Sequence, residues 1–354
     1  LKITKRHLFA LHSWLGLIAG IFILAICLSG AFISLRNQYE RSFEKEKIVV
    51  TPQSKRLSYD TLFAIAKKEV SDFQLYDYAR LPQQADESLE ILYFPDGSYH
   101  SVFIDPYTGE VKGKLALNLS RWILKFHWSF FIGSQGWLGS IFAFCFALCL
   151  LLSIITGFIV YKRHIIDSLL FRSKVNWSSF KNASSGLHRI IGVWSMLFLF
   201  IMFGSGAYIN YHILNGDWKY PGGKDLTQIP KQLLQISVDD CIQKAKDTIP
   251  NFIPTGFSFP QLMGGDLSVN GLTKDQNEFY LSGSSVSFNP TTGQVIEITN
   301  GTKNTTYSKF ENIVFSLHYA NFGGLFIKII YCILALLCGL MPITGFVLWW
   351  RRTV

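Results

Sequence analysis

Four apolar blocks decide what this chain can become: Trp14 to Leu35, Trp137 to Tyr161, Ile190 to Tyr211 and Leu325 to Trp350. Each is long enough to supply the ~20 residues of helix that a hydrocarbon core requires. In a chain of 354 residues, 49% of them hydrophobic, such blocks read as four spanning helices. The first follows a basic leader as a secretory signal would. Its apolar run, however, exceeds the usual length of about 7 to 15 residues and lacks a small-x-small cleavage site, so a retained helix is expected.

The position of the charge orients these spans. A formal charge of +9 gathered on one soluble face would point to nucleic acid. Here Lys2, Lys5, Arg6, Lys162, Arg163, Arg172, Lys174, Lys181, Arg189, Arg351 and Arg352 fall at span ends, accompanied only by Asp167. The positive-inside rule places those three segments in the cytoplasm. Residues 37–120 hold 10 Lys and Arg against 13 Asp and Glu, and residues 213–310 hold 8 against 9. Both long connections are therefore expected outside, with lipid as a partner and nucleic acid excluded. Of six cysteines only Cys241 lies in a soluble segment, and no Cys-x-x-Cys-His occurs. A disulfide framework and covalent c-type heme are both ruled out.

The two halves of the chain echo one another. Leu11-His12-Ser-Trp-Leu-Gly16 corresponds to Leu187-His188-Arg-Ile-Ile-Gly192, and eighteen residues after each histidine come Ser29-Gly30 and Ser205-Gly206. Phe103-Ile-Asp-Pro-Tyr-Thr-Gly109 corresponds to Ser287-Phe-Asn-Pro-Thr-Thr-Gly293, His127 to His318, and Thr156-Gly157 to Thr344-Gly345. The pattern implies a tandem repeat of helix, soluble domain and helix. Both repeats start on the same side of the membrane, so the repeat is parallel, with its pseudo-twofold axis along the membrane normal.

The expected architecture is thus an α-helical membrane protein, a four-helix transmembrane bundle with α+β domains outside. Residues 1–36 form a leader and first span, 37–120 a first soluble domain, and 121–163 an outer-face segment and second span. A cytoplasmic loop (164–186), third span (187–212), second soluble domain (213–310) and outer-face segment with fourth span (311–354) follow. Within the soluble segments, Ser58 to Val70 and Ser237 to Ile249 carry helix-start signals. Leu89 to Phe94, Tyr99 to Ile104, Glu278 to Leu281 and Ser284 to Phe288 read as strands, with the Pro-x-Thr-Gly stretches as tight turns.

The histidines carry the chemistry. His12 and His188 open the first and third spans at the inner face, and His127 and His318 precede the second and fourth at the outer face. Bundle cofactor sites are built from side chains on facing helices, and two symmetric pairs at two depths suit two b-type hemes. Gly16 and Gly192 share a helix face with the inner histidines. Eighteen residues make five turns, so Gly30 and Gly206 lie on that face about 27 Å further along. An inner heme would be ligated by His12 and His188 and flanked by Gly157 and Gly345. An outer heme would be ligated by His127 and His318 and flanked by Gly30 and Gly206. The competing reading is that these glycines only let helices pack closely. His212, with Arg36 as its first-half counterpart, is an alternative outer ligand, and Arg36 is either a heme-propionate partner or an interfacial anchor. The distance from His127 to Arg163, like that from His318 to Arg351, exceeds one straight span. Either Gly133-Ser-Gln-Gly136 and Gly323-Gly324 kink the helices, or the histidines sit on separate interfacial segments such as Leu119 to Phe131.

The order and duplication of these motifs resemble the PepSY-associated transmembrane family, and within it the bacterial inner-membrane ferric-siderophore reductases of ferrioxamine type. That resemblance implies a diheme protein of the bacterial inner membrane, both termini cytoplasmic and its soluble domains periplasmic. It would reduce a ferric siderophore outside, supplied by quinol or by a membrane or cytoplasmic reductase. Asn289 stands where the first half has Asp105, which puts any role of that carboxylate in question for the second domain. An alternative class is a hemeless membrane-anchored binding or sensing module. A transporter is weakened by the absence of a mid-span acid or a half-helix break. No hydrolase, phosphate-loop, flavin or nicotinamide fingerprint occurs.

Overall fold

A computed structural model describes residues 4–70, 76–93, 100–116, 119–132, 137–215, 236–259, 267–274, 283–303 and 305–353. Helices α1 (Lys5–Ser34), α2 (Arg36–Phe43), α3 (Lys45–Ile48) and α4 (Tyr59–Glu69) come first. Strands β1 (Tyr76–Arg80), β2 (Leu89–Tyr93), β3 (His100–Ile104) and β4 (Val111–Leu115) follow, then helices α5 (Leu119–Ser129), α6 (Trp137–Tyr161), α7 (Ile165–Leu169) and α8 (Phe180–Asn215). The remainder is α9 (Val238–Thr248), strands β5 (Phe252–Ser258), β6 (Leu267–Thr273), β7 (Ser284–Phe288) and β8 (Val295–Thr299), and helices α10 (Thr306–Tyr319) and α11 (Gly324–Thr353). These elements form two compact units. One comprises Leu1–Arg36, Trp122–Trp218 and Leu317–Val354, the other Asn37–Arg121 and Lys219–Ser316.

The first unit is the helical one. Four helices in it, Lys5–Ser34, Trp137–Leu169, Phe180–Asn215 and Gly324–Arg351, are long and apolar enough to cross a membrane. Each of α1 and α8 packs on both α6 and α11, so α1 and α8 stand on a diagonal of the bundle. Between α1 and α11 small residues allow close approach, as is usual where lipid removes the hydrophobic drive. A Cβ at Gly20 would lie 3.5 Å from Pro342, and one at Gly339 would lie 3.5 Å from Leu24 and 3.7 Å from Cys27.

The histidine segments ahead of α6 and α11 are separate helices, the second of the two expected arrangements. After α5 the backbone turns left-handed at Phe130 (φ 51°) and Phe131 (φ 59°), and after α10 at Ala320 (φ 51°), Gly323 (φ 63°) and Gly324 (φ 60°). Glycine suits such angles, whereas Phe and Ala occupy them at a cost. Gly139 lets α6 start against the end of α5, because a Cβ there would lie 2.2 Å from the Ser129 carbonyl oxygen. The expected kink at Gly133 to Gly136 lies outside the described residues.

In the second unit the segments 37–120 and 213–310, expected as two domains, share one antiparallel sheet. Its order is β4-β3-β2-β1-β5-β6-β7-β8. The join is the β1–β5 pairing, Tyr78 with Ser258, Ala79 with Phe257 and Arg80 with Gly256. Neither strand was apparent in the sequence, so the segments looked self-contained. Gly256 is required there, since a Cβ would fall 1.6 Å from the Tyr78 hydroxyl. One continuous apolar core runs under both halves, including Leu62, Tyr76, Ile91, Phe257, Leu267 and Phe288.

Helices α4 and α9 start at Ser58 and Ser237 as the sequence indicates, each serine capping its own helix. They also cap each other. Asp239 accepts from the Tyr59 and Asp60 amides (3.1 and 2.8 Å), while Asp60 accepts from the Val238 amide (2.6 Å) and the Ser237 hydroxyl (2.5 Å). Carboxylates at helix N-termini satisfy orphan amides and the positive end of the helix dipole. The turn stretches explain the Asp105/Asn289 difference. Asp105 accepts from the Tyr107 and Thr108 amides (2.8 and 3.3 Å), and Asn289 from those of Thr291 and Thr292 (2.9 and 3.0 Å). The role calls for an acceptor oxygen rather than a charge, and both side chains supply one. Of the expected strands, Glu278 to Leu281 lies outside the described residues.

Candidate functional site

His12 on α1 and His188 on α8 meet across the bundle diagonal, their ring centres 6.2 Å apart and their planes inclined by 79°. Around the pair lies a cavity of ≈ 350 Å³ whose walls include Gly16, Gly192, Leu150, Met196 and Trp349. That volume falls within the ordinary range of ligand pockets.

Hydrogen bonds fix which nitrogen of each ring is free. The Nδ1 of His12 lies 2.9 Å from the Ser153 carbonyl oxygen, which can only accept. The Nδ1 of His188 lies 2.9 Å from the Thr344 hydroxyl, and that hydroxyl donates its own proton to the Leu340 carbonyl. His127 is held in the same way by Ser29 (2.9 Å), whose proton goes to Ala25, and His318 by Ser205 (2.8 Å), whose proton goes to Ile201. All four rings therefore donate from Nδ1–H, and all four carry their lone pair on Nε2. Metal-ligating histidines show this arrangement, the second nitrogen tied to an oxygen that sets tautomer and orientation.

The glycines expected beside a flat macrocycle lie against the imidazoles. A Cβ at Gly157 would lie 3.0 Å from the Cε1 of His12, at Gly345 3.3 Å from that of His188, at Gly30 3.2 Å from that of His127, and at Gly206 3.4 Å from that of His318. A side chain at Gly157, Gly30 or Gly345 would press on the ring edge, whereas at Gly206 it would meet the ring at ordinary contact distance. Gly157 and Gly345 also line the cavity, as do Gly16 and Gly192. Gly16 has nothing within 4 Å of its absent Cβ, which leaves that wall open. His212 is buried, its ring centre 4.4 Å from that of Tyr208 and 5.4 Å from that of Tyr211. It lies six residues past the Gly206 seat, a third of a turn round the helix from it. Arg36 begins α2, directly after the first span.

A pair of imidazoles is an incomplete ligand set for a bare cation. Among the described residues no three His, Cys, Asp or Glu side chains gather into a metal cage. Two facing imidazoles would instead suit a cofactor that brings further ligands of its own, as a porphyrin does. The cavity and the free Nε2 atoms of His12 and His188 suit that group.

The sequence model of the PepSY-associated TM region matches residues 9–352. The chain belongs to this family. No curated protein matches it closely.

In this PepSY-associated protein the oxygens behind the histidines escaped sequence reading. Ser29, Ser205 and Thr344 each directly precede a seat glycine, so a hydroxyl before glycine is the legible signal. Each ring also has a backbone carbonyl partner three residues before that hydroxyl, Ile26 for His127, Met202 for His318, Met341 for His188 and Ser153 for His12. At the fourth seat Thr156 donates to the Leu152 and Ser153 carbonyls (2.9 and 3.0 Å), and the Ser153 carbonyl (2.9 Å) and hydroxyl (3.2 Å) hold His12.

Proposed function

We propose that this membrane protein is a diheme b-type electron carrier of the bacterial inner membrane that reduces a ferric siderophore on the periplasmic side. His12 and His188 would hold the inner heme, His127 and His318 the outer one. We read the chain as a tandem parallel repeat with both termini cytoplasmic and the joined sheet periplasmic. The observation that carries the proposal is the His12–His188 pair, 6.2 Å apart with each Nδ1 occupied, beside a cavity on the bundle diagonal.

Bound heme would supply the one-electron Fe³⁺/Fe²⁺ couple. The chain's own contribution is orientation and exclusion of water. Ser29, Ser205, Thr344 and the Ser153 carbonyl fix the imidazoles, the seat glycines admit them, and the apolar helices surround them. Reduction would loosen a siderophore's grip, because hard oxygen donors hold ferrous iron poorly. Quinol or a cytoplasmic reductase would supply the electrons.

Pyridine hemochrome analysis of protein expressed with ample heme should give about two hemes per chain. His12→Ala, His188→Ala, His127→Ala and His318→Ala should each lose about one. Oxidised protein should show the resonance of low-spin heme. Anaerobic mixing of dithionite-reduced protein with ferric siderophores should reoxidise the heme. Colourless protein, or full heme in all four variants, would remove the proposal.

A further inference from the structure

The walls of the cavity beside His12 and His188 are apolar over most of their extent, and no carboxylate among the described residues lines them. The cationic side chain among them, apart from the histidines themselves, is Arg189. Its Nε donates to the Ser185 carbonyl (3.1 Å), and its guanidinium carbon lies 6.0 Å from the centre of the Tyr161 ring. Ser185 and Tyr161 line the same cavity, and Arg189 is exposed, so this group stands where the cavity opens. No acidic residue among those described forms an ion pair with it. The two terminal nitrogens of the guanidinium are left to face an outside acceptor. A cavity with a greasy body and one cation at its mouth suits an amphiphile, a flat apolar ligand with an anionic edge. Arg matches carboxylate geometry through paired N–H donors.

We propose that Arg189 binds the carboxylates of the porphyrin held by His12 and His188, and so sets which edge of the ring faces the cavity mouth. The assignment rests on the heme reading above. It adds a residue that the duplicated pattern does not mark, since the first-half counterpart of Arg189 is the uncharged Ser13. The same anion-binding chemistry could serve a phospholipid headgroup, and the experiment separates the two.

Full-length protein carrying His127→Ala and His318→Ala leaves one site to titrate, with the intact chain run in parallel. Heme and heme dimethyl ester, which lacks the free carboxylates, are titrated into this protein with Arg189, with Arg189→Gln and with Arg189→Lys. With Arg189 present heme should bind about tenfold or more tightly than the ester. Arg189→Gln should bring that ratio close to one without changing the bis-imidazole spectrum, and Arg189→Lys should restore part of it. An unchanged ratio in Arg189→Gln overturns the assignment while leaving the heme reading intact. A preference abolished by phosphatidylglycerol micelles assigns the guanidinium to lipid phosphate and also overturns it. Protein with Arg189 that takes up neither ligand removes both this assignment and the heme reading.

Discussion

A serine one residue before glycine performs two tasks at the outer histidines. Ser29 and Ser205 give their protons to the carbonyl four residues back and present the oxygen to Nδ1 of His127 and His318. Glycine beside them makes the room. Ser29→Ala or Ser205→Ala should therefore leave the ring in place with the Ile26 or Met202 carbonyl still accepting from it, and the loss of one of two partners should weaken heme affinity by about 10-fold, the low end of the usual effect. Heme titration of the purified variants measures it. The histidines themselves were legible because the two halves place them at matching positions. The oxygens were not, because a hydroxyl inside an apolar helix commonly bonds its own backbone and signals nothing by itself.

At the scale of elements, the reciprocal caps of α4 and α9 tie together helices far apart in sequence. Asp239→Ala strips two amides of their acceptor at the start of α4, and about 1 to 2 kcal/mol of stability should go with them. Thermal unfolding of the variant should register that as a lower Tm. Gly256→Ala should be more damaging, since its Cβ would overlap the Tyr78 hydroxyl at the sheet's central pairing. Pairing it with Tyr78→Ala should recover much of the loss, which a melting comparison of single and double variants would show. Both serine helix starts were readable from the sequence, as were β2, β3 and β7 to within a residue. Strand β1 was not, because Tyr76-Asp-Tyr-Ala-Arg80 is short and mixes charged residues among apolar ones, and β5 carries Pro254 and Gly256, which ordinarily argue against a central strand.

The whole molecule is two bodies drawn from interleaved stretches of one chain, a bundle of apolar helices and a sheet with its own core. Cys241 reports on the second. Burial between α9 and the sheet pushes its thiol up to about 11. Since the thiolate is the reactive form, a higher value means less of it near neutrality, and burial denies access as well. Iodoacetamide at about pH 8 should label the Cys241 peptide at least about 100-fold more slowly in folded protein than in urea, as followed by mass spectrometry. The number of spans and the division into inserts were visible as hydropathy. That the inserts fuse was hidden, because their join is a backbone ladder between two strands the sequence did not mark, and the Asp60 and Asp239 caps look like ordinary first-turn acids of their own helices.

The central β1–β5 ladder has a consequence for synthesis. When β1 has left the ribosome, the neighbour that will cover its open side is still more than 150 residues away. At about 5–20 residues per second, that side waits roughly 10 to 35 s for its partner. An uncovered strand invites pairing with other chains. Nascent molecules crowded on one messenger would thus be prone to swap halves with one another during that interval.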